Sequence, residues 1–399
     1  MRIRNIDTGN PSIAIIGSRG IPNRYGGFEK FAEIISTELV KNGNTVYVSC
    51  EYASKQKIKE YKGVNLFYFP IKSPKIGLIR IIYEFLYDGY SLLWASKNVD
   101  YVYMLGYSAA ILFFIPKLFG KRLFVNHDGI EWKRSKFSPI IKYLLKLSEK
   151  ISIIWADEII ADSKEIKRYL DGEYNINSIY IPYGASEVQK VGWKPKKLPE
   201  SLKEININPS YYLVVARLEP ENNIEIIVEG YLKSKTEKPL IIIGDFANPD
   251  YKHKVKKIID NNSEDKKIIF TGGIYDPELL NMLRQNCCAY IHGHSVGGTN
   301  PSLLEAMISK NLIIAHDNEF NSEVCGNSGI FFRDSDDLMN KIDLMEKDFL
   351  THLKLKNKAY YKVKDQYVWN DIVNRYNLLL NSYNNEIEVD STEKWRVGK

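Results

Sequence analysis

Short, almost wholly apolar runs alternate with amphipathic helical stretches along this chain, and the alternation occurs twice. In the front half SIAIIG, NTVYVSC, VNLFYFP, VDYVYML, KRLFVNH, DEIIAD and SIYIPYG read as strands. Between the first two lies FEKFAEIISTELVKNG, which places Phe28, Phe31, Ile34, Ile35 and Leu39 on one helical face and stops at Gly43. Strands that are apolar at nearly every position must be covered on both faces, so the pattern predicts α/β architecture with a parallel, doubly wound sheet. Residues 187–209, EVQKVGWKPKKLPESLKEININP, break the rhythm with Lys, Pro and Asn and read as a linker. A second alternation follows: YYLVVAR, KPLIIIGD, KKIIFTGG, CCAYIHGH and NLIIAHD. The expected organisation is a domain over 1–186, the linker 187–209, a second domain over 210–365, an amphipathic helix over 366–384 and a polar tail over 385–399.

Composition narrows the class. Of 399 residues, 44% are hydrophobic and 26% charged, which suits globular cores. The longest apolar run, SAAILFFIP, is about half the ~20 residues that a membrane-spanning helix needs, and the N-terminus has no charged-then-apolar signal pattern. The four cysteines, Cys50, Cys287, Cys288 and Cys325, form no CxxC pair and read as buried thiols of a reduced compartment. The expectation is a cytoplasmic protein, soluble or peripheral on the inner face of the plasma membrane. The net charge of +6 is uneven: residues 1–190 hold 27 Lys and Arg against 19 Asp and Glu, a net of +8. A basic front half fits a phosphorylated ligand or an anionic membrane. With no zinc-finger or RNP-type signature, nucleic acid is not expected as a partner.

Ligands of open parallel sheets bind beyond the carboxyl ends of the strands. In a chain with two such domains the cleft between them is the natural site. The first strand runs into GSRGIPNRYGGF. There Gly17, Gly20, Gly26 and Gly27, the helix start beyond Gly27, and Arg19 and Arg24 together suit an anion such as a diphosphate. A dinucleotide site, with Glu51 as the ribose-binding acid, is the competing reading, but GxGxxG is absent and the loop is too long for that tight turn. His292 and His294 alternate like metal ligands without an evident third, so no metal site is expected.

In chain order, IIGSRGIPNRYGGFEKF, NHDGIEWKRSKFS, ADSKEIKRYL, IPYGA, VVARLEPENNIEI, FTGGIYD and GHSVGGTNPSLLEAM together resemble the rhamnosyltransferase-like branch of the family-four, retaining GT-B glycosyltransferases. The resemblance covers most of residues 11–384. It implies two Rossmann-like domains facing across a cleft, with the C-terminal helix crossing back to the first. A nucleotide-sugar donor would be held mainly by the second domain, and a lipid-linked or polysaccharide acceptor by the first. It implies a hexosyltransferase of capsule, O-antigen or cell-wall glycan synthesis that retains configuration and needs neither metal nor other cofactor.

Carried over residue by residue, the resemblance makes Arg217 the diphosphate ligand, for which a guanidinium fork is well shaped. A lysine expected about five residues later is replaced by Asn222 and Asn223. Thr271, Gly272 and Ile274 would meet the nucleobase. Gly297, Gly298, Thr299, Asn300, Ser302 and Leu303 would offer the diphosphate a glycine loop and helix start, with Asn300 as N-cap. Glu305 matches the ribose-binding acid. Its partner acid would fall near Ser295, where the chain has none. On the acceptor side Asp128 leads, with His127 beside it in the catalytic role and Glu131, Trp132 and Arg134 shaping the pocket. Catalysis would rest on stabilising the departing diphosphate, so a pair of hydrolase-like carboxylates is not required.

Residues 133–150 interleave six basic residues with Ile140, Ile141, Leu144, Leu145 and Leu147. They suit either an anionic membrane surface or an ordinary helix with a solvated basic face. Outside the rhamnosyl reading stand a UDP- or GDP-sugar donor, a sugar-nucleotide-binding module without catalysis, and a nicotinamide oxidoreductase.

Overall fold

The computed structural model describes residues 11–23, 26–52, 57–74, 78–134, 137–187, 200–203, 211–262 and 266–384. Most of the expected linker, the tail 385–399 and Arg24 lie outside the described residues. The chain divides into two compact units. The first comprises Met1–Asp128, Ile140–Ile181 and Asn370–Lys399; the second comprises Gly129–Pro139 and Pro182–Trp369.

In the first unit the strands are β1 (Ser12–Ile16), β2 (Thr45–Cys50), β3 (Glu60–Tyr61), β4 (Val64–Tyr68), β5 (Tyr101–Leu105), β6 (Arg122–His127), β7 (Glu158–Ala161) and β8 (Ile179–Tyr180). They form one sheet in the order β3-β4-β2-β1-β5-β6-β7-β8, parallel except for β3. Its helices are α1 (Gly27–Lys41), α2 (Leu78–Asn98), α3 (Phe114–Leu118), α4 (Pro139–Trp155) and α5 (Lys164–Tyr174). The central β5 is buried along its whole length, as a strand covered on both faces must be.

The second unit carries β9 (Tyr212–Val215), β10 (Leu240–Ile243), β11 (Ile268–Gly272), β12 (Ala289–His292), β13 (Ile313–His316) and β14 (Gly329–Phe332). They pair in parallel in the order β11-β10-β9-β12-β13-β14. Around them lie α6 (Glu200–Lys203), α7 (Ile224–Lys233), α8 (Pro249–Asp260), α9 (Pro277–Asn286), α10 (Pro301–Ile308), α11 (Glu319–Cys325), α12 (Ser335–Lys347) and α13 (Phe349–Gln366). Side-chain caps from Asn248, Asp276, Asn300, Asn318 and Asp334 satisfy amides at five of these helix starts.

The last helix, α14 (Trp369–Asn384), belongs to the first unit from Asn370 onward. Its stripe of Ile372, Val373, Tyr376, Leu379 and Leu380 is buried, a helical spacing that demands a sheet to cover it. Tyr376 shares a hydroxyl hydrogen bond of 2.8 Å with Tyr103 of β5, and Tyr383 packs on Phe124 of β6. The expected return of the C-terminal helix is therefore observed, starting at Trp369 rather than 366.

Candidate functional site

In the second sheet the chain leaves β9 toward β10 and β11, then comes back to place β12 on the other side of β9. Such a reversal opens a crevice beyond the carboxyl ends of the two diverging strands. The segments that enter it are 216–223 after β9 and 293–300 after β12.

These two segments are stitched together. Asn223 Nδ2 donates across to the Gly293 carbonyl at 2.8 Å, while Asn222 Nδ2 braces its own segment by donating to the Arg217 carbonyl at 2.6 Å. Ser295 donates from both its amide and its hydroxyl to the Glu221 carbonyl, each at 2.9 Å. The segments lie so close that a Cβ on Gly293 would stand 2.2 Å from the Asn222 oxygen, which only glycine tolerates. The two asparagines that stand where a cation was expected, and the serine that stands near the missing acid, are thus structural staples. Asn318 and Asn321 add a further clamp by donating to the His294 carbonyl at 2.9 and 2.8 Å.

Arg217 projects from this scaffold, about half exposed, and among the described residues its ion-pair contact is a loose 3.9 Å approach to Glu219. A pair that long in solvent holds little, so the guanidinium can turn to another anion. Beside it the rings of His292 and His294 stack face to face at 4.2 Å and 8°. Burial pushes the His294 imidazole down to about 3, and the charges of Arg217 and Arg134 add to that effect. Burial, with His294 and His316, also holds His292 well below its ordinary value. Both rings are therefore neutral at pH 7. Parallel rings aim their in-plane nitrogen lone pairs side by side rather than at one point, a poor arrangement for sharing a metal ion.

The glycine loop leads into α10. Gly297 has φ +127° with open space where a side chain would be, and Gly298 is partly exposed. Asn300 caps the helix, but in doing so it takes two of the amides expected to meet a ligand. Its Oδ1 accepts from the Ser302 amide at 3.0 Å and from the Ser302 hydroxyl at 2.8 Å, and its carbonyl accepts from the Leu303 amide at 3.2 Å. Thr299 and Leu303 are buried. The exposed part of the expected cradle is therefore Gly297 and Gly298. Glu305 lies beyond the first turn of α10, so favourable placement against the helix dipole does not explain it. Instead one carboxylate oxygen is ion-paired with Arg284 of α9, an almost fully buried side chain. Sequence reasoning missed Arg284, because nothing in PELLNMLRQN distinguishes a buried arginine from a solvated one.

Beyond β11, Thr271 donates to the Gly272 carbonyl at 2.8 Å, and Gly272 adopts φ +72°. Thr271, Gly272 and Ile274 are partly exposed. This loop is tied to the end of β10 through Asp245, which accepts from the Gly273 amide at 3.1 Å and the Tyr275 hydroxyl at 3.2 Å. Asp245 was also missed; its place directly after a strand was the available signal.

In the first unit two amides of the glycine-rich loop after β1 are bonded by the chain's own acids. Glu29 of α1 folds back, accepts from the Arg19 amide at 3.0 Å, and sits where a Cβ on Gly26 would clash at 2.2 Å. Glu33 accepts from the Asn23 amide at 2.6 Å. Two acids of α1 thus bind amides of the loop that precedes it. Gly17 and Gly20 serve close approach, to the Leu105 backbone and to Cys50. The Arg19 side chain remains exposed.

Asp128 follows β6 and is partly exposed. His127, expected beside it in catalysis, is instead a core group with no exposed surface. It stacks on Tyr107 at 4.4 Å, Nε2 bonds Ser152 at 3.0 Å, and burial pushes it down to about 3. Glu131 pairs with Arg134 at 2.6 Å, and Lys133 lies 5.6 Å over the Trp132 ring. The residues expected to shape an acceptor pocket are thus engaged with one another.

Residues 11–186 match the family described as "Domain of unknown function (DUF1972)", and residues 199–362 match "Glycosyl transferases group 1". An uncharacterized glycosyltransferase of Methanocaldococcus jannaschii is 27% identical over 353 residues, covering 85% of this chain and 84% of that protein. A Campylobacter jejuni N-acetylgalactosaminyltransferase, whose name gives a diphospho-undecaprenol-linked acceptor, is 21% identical over 51% of this chain and 54% of its own length. Among solved structures, sucrose-phosphate synthase of Thermosynechococcus elongatus superposes with a TM-score of 0.76 at 14% identity, over 94% of this chain and 99% of that one. Anabaena HepE in complex with UDP-glucose gives 0.72 at 15% identity, over 93% and 100%. The chain therefore has the two-domain α/β fold of the GT-B glycosyltransferases, and residues 199–362 resemble the glycosyl transferases group 1 family.

Proposed function

We propose that this protein is a retaining glycosyltransferase that moves a sugar from a nucleotide-sugar donor onto a lipid-linked or polysaccharide acceptor during capsule, O-antigen or cell-wall glycan synthesis. L-Rhamnose from dTDP-rhamnose is the donor to test first. The observation that carries this reading is the switch-point crevice of the second unit, where the loop bearing half-exposed Arg217 is bonded to the loop that leads to Gly297 and Gly298. Arg217 would grip the diphosphate, the glycine amides would approach it, and Glu305, oriented by Arg284, would accept from a ribose hydroxyl. Thr271, Gly272 and Ile274 would meet the base.

In the proposed reaction the acceptor oxygen attacks the anomeric carbon on the face from which the diphosphate leaves. The C–O bond to phosphate breaks, the new glycosidic bond forms, and the acceptor proton passes to a donor phosphate oxygen. Negative charge grows on the leaving diphosphate, and Arg217 stabilises it in a partly desolvated site. Neutral His294 adds no charge there. Asp128 is assigned to the acceptor hydroxyl. No resident metal is required by this scheme. The acceptor is placed at the cytoplasmic face of a membrane, in keeping with the acceptor named for the Campylobacter relative. A UDP-sugar donor is the second reading, favoured by the HepE complex with UDP-glucose.

The test is a thermal-shift panel of dTDP, UDP, GDP and their sugars. A ligand present at ~100 times its Kd stabilises the native state by about 2.7 kcal/mol. A shift with one nucleotide series is expected, followed by transfer of its sugar. No shift with any nucleotide would overturn the donor site, and binding without transfer to any acceptor would make the chain a binding module.

A further inference from the structure

The segment Gly129–Pro139 directly follows β6 in sequence, yet it packs with the second unit. A short 3-10 turn over Glu131–Lys133 ends at Arg134, whose amide donates to the Glu131 carbonyl at 3.2 Å. This turn lies against the loop after β12. A Cβ on Gly129 would stand 3.6 Å from Gly297 Cα, 3.8 Å from Arg134 Nη2 and 3.4 Å from Glu131 Oε1. One point therefore touches both the glycine loop and the guanidinium at ordinary contact distance. A phosphate that accepts bonds of about 2.8 Å from either side spans such a gap.

His294 opens the same loop and feels both arginines. Burial pushes its imidazole down to about 3, and the positive charges of Arg217 and then Arg134 add to that effect. Two cations far apart in sequence thus bear on one ring. Their charge is needed there. A nucleotide-sugar diphosphate is a dianion, and Arg217 supplies a single positive charge. Asn222 and Asn223 supply none, and the rings of His292 and His294 are neutral. With Arg217 alone, half exposed to solvent, the charge of the leaving group would be only partly offset.

Arg134 suits the second position. Its side chain is 15% exposed, against 53% for Arg217, so its charge acts through less water. Glu131 accepts from its Nε at 2.8 Å and lies 2.6 Å from its Nη2, which fixes the plane of the guanidinium. A fork held in advance loses less entropy when it grips an anion. We propose that Arg134 is a ligand of the donor diphosphate, gripping it together with Arg217 at the 293–298 loop, and not a residue of the acceptor pocket. This deepens the proposed donor site and rests on it. As the bond from the anomeric carbon to the phosphate oxygen breaks, its electron pair stays on that oxygen. Both guanidiniums then donate hydrogen bonds to the growing charge without giving up a proton.

The test is titration calorimetry on the full chain with dTDP, UDP and GDP, comparing the wild type with Arg134→Ala. For the nucleotide that the wild type binds, the alanine variant should lose about tenfold or more in affinity. In steady-state transfer its kcat/KM for the donor should fall while KM for the acceptor stays unchanged, a split that loss of a merely structural pair with Glu131 would not produce. Arg134→Lys keeps a cation beside Glu131 but not the fork. It should melt like the wild type and bind with an affinity between the other two, which keeps the test decisive should the alanine variant melt early. Wild-type nucleotide affinity in both Arg134 variants, with Arg217→Ala weakened, would overturn this inference and leave the donor site standing. A raised acceptor KM with unchanged nucleotide affinity would also overturn it and return Arg134 to the acceptor. If the wild type binds none of the three nucleotides, the donor reading falls and this inference falls with it.

Discussion

Replacing Arg284 with methionine should remove the ion pair that holds Glu305 and reveal what the pair is for. The Arg284 side chain is 3% exposed, and its guanidinium is ion-paired with a Glu305 carboxylate that is 18% exposed. Removing one member of a buried pair costs about 3–5 kcal/mol, because the remaining charge loses its counter-charge. One contribution runs the other way: Arg284 Nε is buried with no hydrogen-bond partner, and its loss relieves about 1–3 kcal/mol. The backbone bond from Asn311 to the Arg284 carbonyl is untouched, and methionine refills the stem. The net expectation is a loss of about 2 kcal/mol, or ~4–8 °C in the melting of a unit this size. Calorimetry on Arg284→Met, Glu305→Leu and the double variant gives the coupling directly. The double variant should be more stable than the sum of the two losses, because no charge is left unpaired. Glu305→Leu should in addition weaken nucleotide binding. An unchanged melting temperature for Arg284→Met, or strictly additive losses, would refute the pairing; full nucleotide affinity in Glu305→Leu would remove Glu305 from the ribose.

Arg217→Ala should lower nucleoside-diphosphate affinity about 10- to 150-fold, the equivalent of one lost charge-assisted contact, by titration calorimetry. Because its ion pair with Glu219 is long and solvated, stability should not change, and undiminished affinity would exclude Arg217 from the diphosphate. Asp128→Asn should bind donor normally and transfer poorly in a radiolabelled-sugar assay; wild-type turnover would take Asp128 out of the chemistry. Asp88 of α2 is held up at about 7 by burial and then by Glu84, against 3.8 unfolded. Its raised value favours folding fully below pH 3.8, and that advantage disappears as pH rises toward 7. Asp88→Asn should therefore raise stability by roughly 2–4 kcal/mol at pH 7 and by almost nothing at pH 4, read from urea midpoints; a gain independent of pH would show the cause is not ionisation.

Much of the candidate site was legible because strand ends are legible. The apolar runs before Arg217 and His292 could only be buried parallel strands, so the residues after them had to line a sheet's carboxyl edge. What could not be read was which groups fold back on one another. GSRGIPNRYGGF looks like an anion cradle, and only the structure shows that Glu29 takes the Arg19 amide. Asn222, Asn223 and Ser295 looked like missing charges until their bonds to Arg217, Gly293 and Glu221 appeared. The bonds of Asn223 and Ser295 join segments about 70 residues apart, which leaves no periodic trace in sequence; Asn222 bonds within its own loop.

The sequence by itself determined the two α/β units, the amphipathic helices and the strand ends where chemistry can sit, since local hydrophobic periodicity dictates each of these. Which face of a helix turns inward was decided only in three dimensions. Residues 139–155 read as an amphipathic helix whose apolar stripe belongs in a core. Yet Tyr107, Tyr169, Tyr174 and His127 wait beneath it with polar atoms to satisfy, and Glu149 and Ser152 turn toward them. A buried hydroxyl or imidazole without a partner costs more than an exposed leucine. The helix therefore hides its carboxylate and shows its isoleucines and leucines to the outside.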